Sequence, residues 1–245
     1  MTLAQELATG LTQMSLEVTP EQQQKLLDYL TLLHKWNRVY NLTAIRNQEQ
    51  MVSNHMLDSL AVLPYLWPKR WLDVGCGAGL PGLVLAVVRP EWSFTLLDSN
   101  SKKTGFVQQA VIELDLRNVE VHCERVEQWQ AEKKFDGIIS RAFAEAADFV
   151  RLTRHLLAEG GHWAAMKGVP EQELARIPAD VLVEKVITLQ IPGMGAARSL
   201  VVLGVKNEQD IGNHQSKGRS GQNHDHCQSG SKSGGGKTTR ATDRS

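Results

Sequence analysis

The ten residues DVGCGAGLPG (73–82) follow directly on the apolar pair Trp71-Leu72 and carry four glycines. Gly75, Gly77 and Gly79 fall on alternate residues, and Gly82 opens the next apolar run. Such a stretch obliges the chain to leave a strand, turn tightly and enter a helix. Glycine takes the left-handed backbone without a steric cost and lets bare backbone approach a ligand. A plain strand-to-helix turn needs a single glycine, not three in register.

Spacing and charge narrow what the loop holds. A dinucleotide fingerprint reads G-x-G-x-x-G, but its last position, counted from Gly75, is Leu80. A triphosphate loop needs a lysine, and 73–82 contain none. Asp73, at the front of the loop, repels a pyrophosphate and favours a cation such as the sulfonium and ammonium of S-adenosylmethionine. The next strand-like run ends at Asp98, 23 residues after Gly75. A carboxylate there accepts hydrogen bonds from both ribose hydroxyls, the logic of the acid ~20 residues on in dinucleotide sites. Together these residues point to an S-adenosylmethionine-dependent methyltransferase.

The rest of the chain agrees with that core. Strand-like runs occur at 70–74, 93–98, 119–124, 135–140 and 161–167, with helical stretches at 82–89, 102–116 and 144–158 between them. This alternation predicts right-handed βαβ units and a largely parallel sheet. The runs 184–191 and 199–205 are too closely joined to be parallel, so they form an antiparallel hairpin. The expected fold is α/β: a Rossmann-like class I methyltransferase with a mostly parallel seven-stranded sheet, a terminal antiparallel hairpin and an N-terminal helical cap. The cap covers residues 1–68. Its first clear helix starts at Thr19-Pro20, with Gln22 completing a capping box, and a second runs from Met51 to Leu63, ended by Pro64 and Pro68. Residues 69–206 form the cofactor-binding domain.

Residues 207–245 are rich in Gly, Ser, Asn, Gln and His, with Ile211 the only large aliphatic side chain. Such a tail cannot offset its conformational entropy by burial, so it is expected to be disordered. Its SGGGKTT has Ser231 where a phosphate loop begins with glycine, and His224, His226 and Cys227 lack a second ligand cluster, so neither a phosphate nor a metal site is assigned. Formal net charge is zero, with six Lys/Arg against four Asp/Glu from Asn207 onward and 21 against 23 before it. That balance neither demands nor excludes RNA, because the local field governs contact. A hydrophobic content of 42% suits a soluble core, and no apolar run approaches the ~18 residues of a membrane span. The first residues lack the basic-then-apolar order of a secretory signal, and three scattered cysteines make no disulfide framework, so a cytoplasmic protein is expected.

The strings HKWNRVYNLTAI (34–45), HMLDSL (55–60), DVGCGAGLPGLVLAVVRP (73–90), LLDSNSKKTGFV (96–107), FDGIISRAFA (135–144) and MKG (166–168) closely resemble the ribosomal RNA small subunit methyltransferase G family, also known as glucose-inhibited division protein B. The resemblance covers about residues 15–205. It implies methylation of N7 of a guanine in a conserved 16S rRNA loop beside the decoding centre, with S-adenosylmethionine as cofactor. It also implies cofactor contacts at Gly75, Leu80, Val126, Glu127 and Arg141, beside Asp73, Gly77, Gly79 and Asp98 from the loop reading. Cys76 departs from the small polar residue more usual at its position, with little consequence where backbone does the binding. The tail has no counterpart in the family.

Guanine N7 carries a free lone pair and attacks without losing a proton, so no catalytic acid or base and no metal is assigned. Orientation alone can supply up to ~7–11 kcal/mol. Candidate RNA contacts are Lys35 and Arg38, interleaved with Trp36 and Tyr40, which are expected to pack mostly inward. Asn41, His55 and Asp58 stand in family-specific strings, while Lys167 and Arg198 lie at strand ends where phosphates can be met. The partner is 16S rRNA or the small ribosomal subunit, with no membrane, and the protein is expected to act as a monomer. Competing readings are a methyltransferase acting on a small molecule or protein, and a nucleotide- or RNA-binding module without turnover. A nicotinamide dehydrogenase is disfavoured by Leu80 and Asp73.

Overall fold

Strands β1 (Arg70–Val74), β2 (Ser93–Leu97), β3 (Val119–His122), β4 (Phe135–Ser140), β5 (Leu157–Lys167), β6 (Val181–Leu189) and β7 (Arg198–Val205) build a single sheet of order β3-β2-β1-β4-β5-β7-β6. The computed structural model describes residues 1–67, 69–141, 143 and 145–206. The readings made for the tail 207–245, its SGGGKTT and its His/Cys group lie outside the described residues. So do Pro68 as a helix stop and Ala144 as a helix start.

Pairing is parallel from β3 through β5, and β7 runs antiparallel between β5 and β6. The expected α/β sheet with a terminal hairpin is therefore the observed one. From β1 the chain moves outward to β2 and β3, then returns to the other side of β1 as β4. The connections after β1 and β4 diverge at the carboxyl ends of the strands, and an open crevice is left there. β5 and β6 begin earlier than the apolar pattern suggests, at Leu157 and Val181. Glu159, Gly160 and Gly161 have no strand signature and fall in the register shift between Leu157 and His162 opposite β4.

Helices cover both faces. α1 (Leu3–Gln13) and α2 (Pro20–Tyr40) precede the sheet, and each starts with a capping box, Thr2 with Gln5 and Thr19 with Gln22. The sequence reading missed α1, in which Gly10 interrupts the helix-forming pattern. A Cβ at Gly10 would collide with Leu57, so the glycine permits the close approach that buries Leu7 and Leu11. The helix expected from Met51 to Leu63 is instead α3 (Gln48–Met51), a π-helical turn over Val52–Leu57 and α4 (Asp58–Leu60). Pro64 sits inside the following 3₁₀ turn, Leu63–Tyr65, and does not end the segment.

After β1 come α5 (Gly82–Val88) and α6 (Ser101–Glu113), both packed on by α2. These helices share one hydrophobic core with α1 and the π-turn, and α7 (Ala146–Thr153) anchors a second core through Phe149, in the same cluster as Trp163 of β5. The short α8 (Glu171–Leu174) leads into β6. Residues Met1–Lys206 thus form one compact unit, because the N-terminal helices bury their leucines into the sheet's own core. Among the described residues no helix is long and apolar enough to cross a membrane.

Candidate functional site

The loop after β1 takes the backbone its glycines permit. Gly75, Gly77 and Gly79 have φ of 68°, 58° and 88°, the left-handed region that side chains avoid. Three tethers fix its path. The amides of Gly75 and Cys76 donate to the Leu97 carbonyl at 2.8 and 3.2 Å, and the Gly77 amide donates to Asp98 Oδ2 at 2.9 Å. On the far side, the Tyr29 hydroxyl donates to the Ala78 carbonyl at 2.6 Å. Tyr29 is fully buried, which pushes its phenol well above the ordinary value and keeps the donor protonated. No sequence signal pointed to Tyr29, whose partner lies 49 residues away along the chain.

Two pockets open beside this loop and share Gly75. The first, about 220 Å³, is lined by Gly75, Asp98, Ser99, Glu124, Val126, Glu127 and Phe143, among others. The second, about 150 Å³, is lined by Leu42, Thr43, Gly75, Gly77, Leu80, Lys103 and Arg141, together with Cys76 and Ala78. Taken as one elongated site they fall within the roughly 300–1,000 Å³ of small-molecule pockets. Gly75, Gly77, Leu80, Asp98, Val126, Glu127 and Arg141 are thereby brought together as expected. Among the residues not foreseen are Ser99, Glu124, Arg125, Phe143, Leu42, Thr43 and Lys103. Only Lys103 had a visible cue, in the Lys102-Lys103 pair that opens α6.

The first pocket is acidic and well furnished with polar groups. Asp98 keeps lone pairs for a ligand while Oδ2 holds Gly77 and Oδ1 accepts from the Asn100 amide at 2.9 Å. The cap of α6 is Asn100 itself, which accepts from the amides of Lys102 and Lys103, so Asp98 is not spent on that task. Among the described residues the Val126 and Glu127 amides make no hydrogen bond, leaving two donors after β3.

Asp73 and Gly79 reach neither pocket. Asp73 is fully buried, and its Oδ2 accepts from the Gly82 amide at 2.8 Å, while Oδ1 has no partner among the described residues. Burial raises its carboxyl to about 7, against the lowering pull of the Gly82 amide and Arg141. Asp73 was expected to meet a cationic ligand, but it faces neither pocket. Asp73 lies behind the loop and shapes it, whereas Asp98, Glu124 and Glu127, opposed by Arg125, set the sign of the first pocket. A Cβ at Gly82 would lie 2.8 Å from Asp73 Oδ2, so this glycine is required for that contact.

Asp58 and His55 are also buried, at 0% and 3% exposure, and present no surface to RNA. Asp58 instead clamps two arginines: Arg141 Nη1 at 3.0 Å and Arg198 Nε at 3.2 Å. Arg141 Nη1 also donates to the Asn54 carbonyl, which the π-turn turns toward it, at 3.1 Å. His55 Nδ1 lies 3.0 Å from that same carbonyl, which can only accept, so Nδ1 carries the proton. Its Nε2 then accepts from the Thr43 hydroxyl at 3.0 Å. Burial and Arg141 lower His55 to about 4, so it is neutral near pH 7.

Lys167 is buried too. Its ammonium binds Glu173 Oε2 at 2.7 Å and the Phe143 carbonyl at 2.8 Å, which braces the wall after β4 and leaves it unsuited to meet a phosphate. Lys35, Arg38 and Asn41 lie exposed at the end of α2. Asn41 caps that helix in the left-handed conformation and accepts from Arg46 at 3.1 Å. Trp36 packs inward on Phe106, as expected, but Tyr40 remains 44% exposed. Among the described residues no group of His, Cys, Asp and Glu has the arrangement of a metal site.

Comparison with known proteins gives a consistent result. The profile of the GidB family, rRNA small subunit methyltransferase G, matches residues 22–201. Ribosomal RNA small subunit methyltransferase G of Laribacter hongkongensis (strain HLHK9) is 57% identical over 207 residues, covering 84% of this chain and 100% of that protein. The protein of the same name from Chromobacterium violaceum is 53% identical over 198 residues, 80% of this chain and 95% of its own length. Among solved structures, TrmN from Thermus thermophilus superposes with a TM-score of 0.49 at 18% identity, over 60% of this chain and 48% of that one, a likeness too loose to carry an inference.

Proposed function

This chain belongs to the rRNA small subunit methyltransferase G family, and from that membership we propose that it methylates N7 of one guanine in 16S rRNA, in the conserved loop beside the decoding centre. It is a methyltransferase that uses S-adenosylmethionine. When bound, the cofactor supplies an electrophilic methyl group carried on a sulfonium. The observation that carries the reading is the pair of pockets meeting at Gly75, acidic on one side and flanked by Lys103 and Arg141 on the other.

The residues present fit that cofactor. Asp98 has acceptor lone pairs for ribose hydroxyls, and the free amides of Val126 and Glu127 provide donors for an adenine edge. The glycine loop offers backbone without side chains, and Leu80 and Leu42 bound the second pocket. Arg141, held by Asp58 and the Asn54 carbonyl, stands ready for a carboxylate or a phosphate. No side chain needs to take a proton, since guanine N7 presents its lone pair directly. The chain contributes orientation, which raises the rate by holding donor and acceptor in one geometry. His55, neutral and fixed by two hydrogen bonds, adds no charge to this region. The enzyme acts in the cytoplasm as a monomer, a state that light scattering on the purified protein measures.

The test is transfer itself. With labelled S-adenosylmethionine and small subunits lacking the modification, label is expected in the RNA fraction and as N7-methylguanosine after digestion. Label in ribosomal protein, or cofactor binding without any transfer, would overturn the substrate assignment and favour the competing readings.

A further inference from the structure

Four aromatic rings connect an exposed face of α2 to the glycine loop. Tyr40 lies 5.3 Å from Trp36, Trp36 5.6 Å from Phe106, and Phe106 6.2 Å from Tyr29 between ring centroids. The series ends at the Tyr29 hydroxyl, bonded to the Ala78 carbonyl in the loop. Its outer end is open: Tyr40 is 44% exposed, and Val39 beside it is 69% exposed. Both stand two or three residues before Leu42, which lines the second pocket.

The charges around this face fix the kind of partner. The end of α2 carries Lys35 and Arg38 and no acid from Leu33 to Tyr40. Lys35 and Val39 are one helical turn apart and so are neighbours on the surface. Arg46 is held toward the end of the helix by Asn41, and Lys102 and Lys103 open α6, on which Trp36 packs. Leu42 and Thr43, immediately past Tyr40 and the Asn41 cap, already line the second pocket. An aromatic face among cations, directly ahead of a segment that lines the second pocket, is the arrangement that binds unpaired nucleic acid bases. The cations meet the backbone and the ring stacks on a base.

We propose that Tyr40 is a stacking position for an unpaired base of the RNA substrate, close to the base that enters the second pocket. The assignment rests on the methyl-transfer reading above. The aromatic series gives the position its rigidity: Trp36 and Phe106 support the ring from beneath, and Tyr29 ties the same support to the loop beside the cofactor pockets. The RNA is thereby registered against the loop by packed side chains, not by a mobile segment.

Tyr40→Ala, Tyr40→Trp and Tyr40→Phe separate this role from a structural one. Each is assayed for KM and kcat with unmodified small subunits, for affinity toward S-adenosylhomocysteine by calorimetry, and for thermal stability. Tyr40→Ala is expected to raise KM on the order of tenfold, the worth of one stacked base, with cofactor affinity unchanged. Tyr40→Phe and Tyr40→Trp are expected to stay near the parent value, because the ring and not the hydroxyl does the stacking. A Tyr40→Ala enzyme with parental KM, or one whose KM rises together with a loss of cofactor affinity, would overturn the proposal. Parental enzyme that transfers no methyl to RNA would instead remove the reading on which it rests, and the proposal with it.

Discussion

Asp73 and His55 are buried titratable residues whose shifts have opposite consequences for stability. Burial, opposed by the Gly82 amide and Arg141, raises Asp73 from 3.8 to about 7. The folded chain therefore keeps a proton that the unfolded chain gives up. The stability this contributes is complete below about pH 3.8 and is lost as pH rises through about 7. Asp73→Asn retains an acceptor for Gly82 and has no proton to lose, so its melting temperature is expected to gain on the parent from pH 4 to about 7 and then level off. His55 runs the other way: lowered from 6.5 to about 4, its contribution is present above 6.5 and is lost as pH falls through 4. His55→Gln is expected to lose less melting temperature than the parent over that interval, measured in the same thermal scans. Asp98 belongs to a different class, since its carboxylate both holds Gly77 and faces the first pocket. Asp98→Ala is expected to weaken S-adenosylhomocysteine binding by roughly 10- to 100-fold, the scale of one or two charged hydrogen bonds, as read by calorimetry. Asp98 was legible in the sequence because its meaning lies in a local offset from Gly75. Asp73 was misjudged because its burial is decided by Gly82 and by Leu96 packed beside it, which no spacing rule encodes.

At the level of elements, the clamp on Asp58 joins three parts of the chain that are distant in sequence. Its carboxylate begins α4 directly after the π-turn and holds arginines from the ends of β4 and β7. Asp58→Ala leaves two guanidiniums facing a hole where a charge stood. Removing one partner of a buried pair costs about 3 kcal/mol at the lower end of the range, which applies here because both arginines keep some contact with water. Urea denaturation measures that loss, and transfer activity is expected to fall with it because Arg141 is no longer held at the second pocket. Strands and the capped α2 could be read from period-two runs and the Thr19–Gln22 pair. The π-turn could not, because its spacing follows neither the 3.6-residue helix nor the strand. Its benefit, an Asn54 carbonyl aimed at Arg141 and His55, depends on contacts 83 to 87 residues apart for the arginine alone.

For the whole molecule, the compact unit ends at Lys206, and the family match ends shortly before it. A chain stopped after Lys206 is expected to melt at the parental temperature and to retain methyl transfer, checked by thermal scan and by label incorporation. The mostly parallel sheet and its terminal hairpin could be argued from alternation and the short link between the last two runs, whereas the site needed packing information: the second pocket draws Leu42 and Thr43 from the loop after α2, Lys103 from α6 and Arg141 from the end of β4. The segment after α2 is therefore a wall of the second pocket, while the helices before it cover the sheet. The most direct measurement maps the product: unmodified small subunits are methylated, the RNA is reduced and cleaved at N7-methylguanine, and the scission sites are read by primer extension. A single scission in the decoding-region loop, abolished by Asp98→Ala, is the expected result. Methyl label that enters the RNA without producing that scission, or scission elsewhere, would contradict the account.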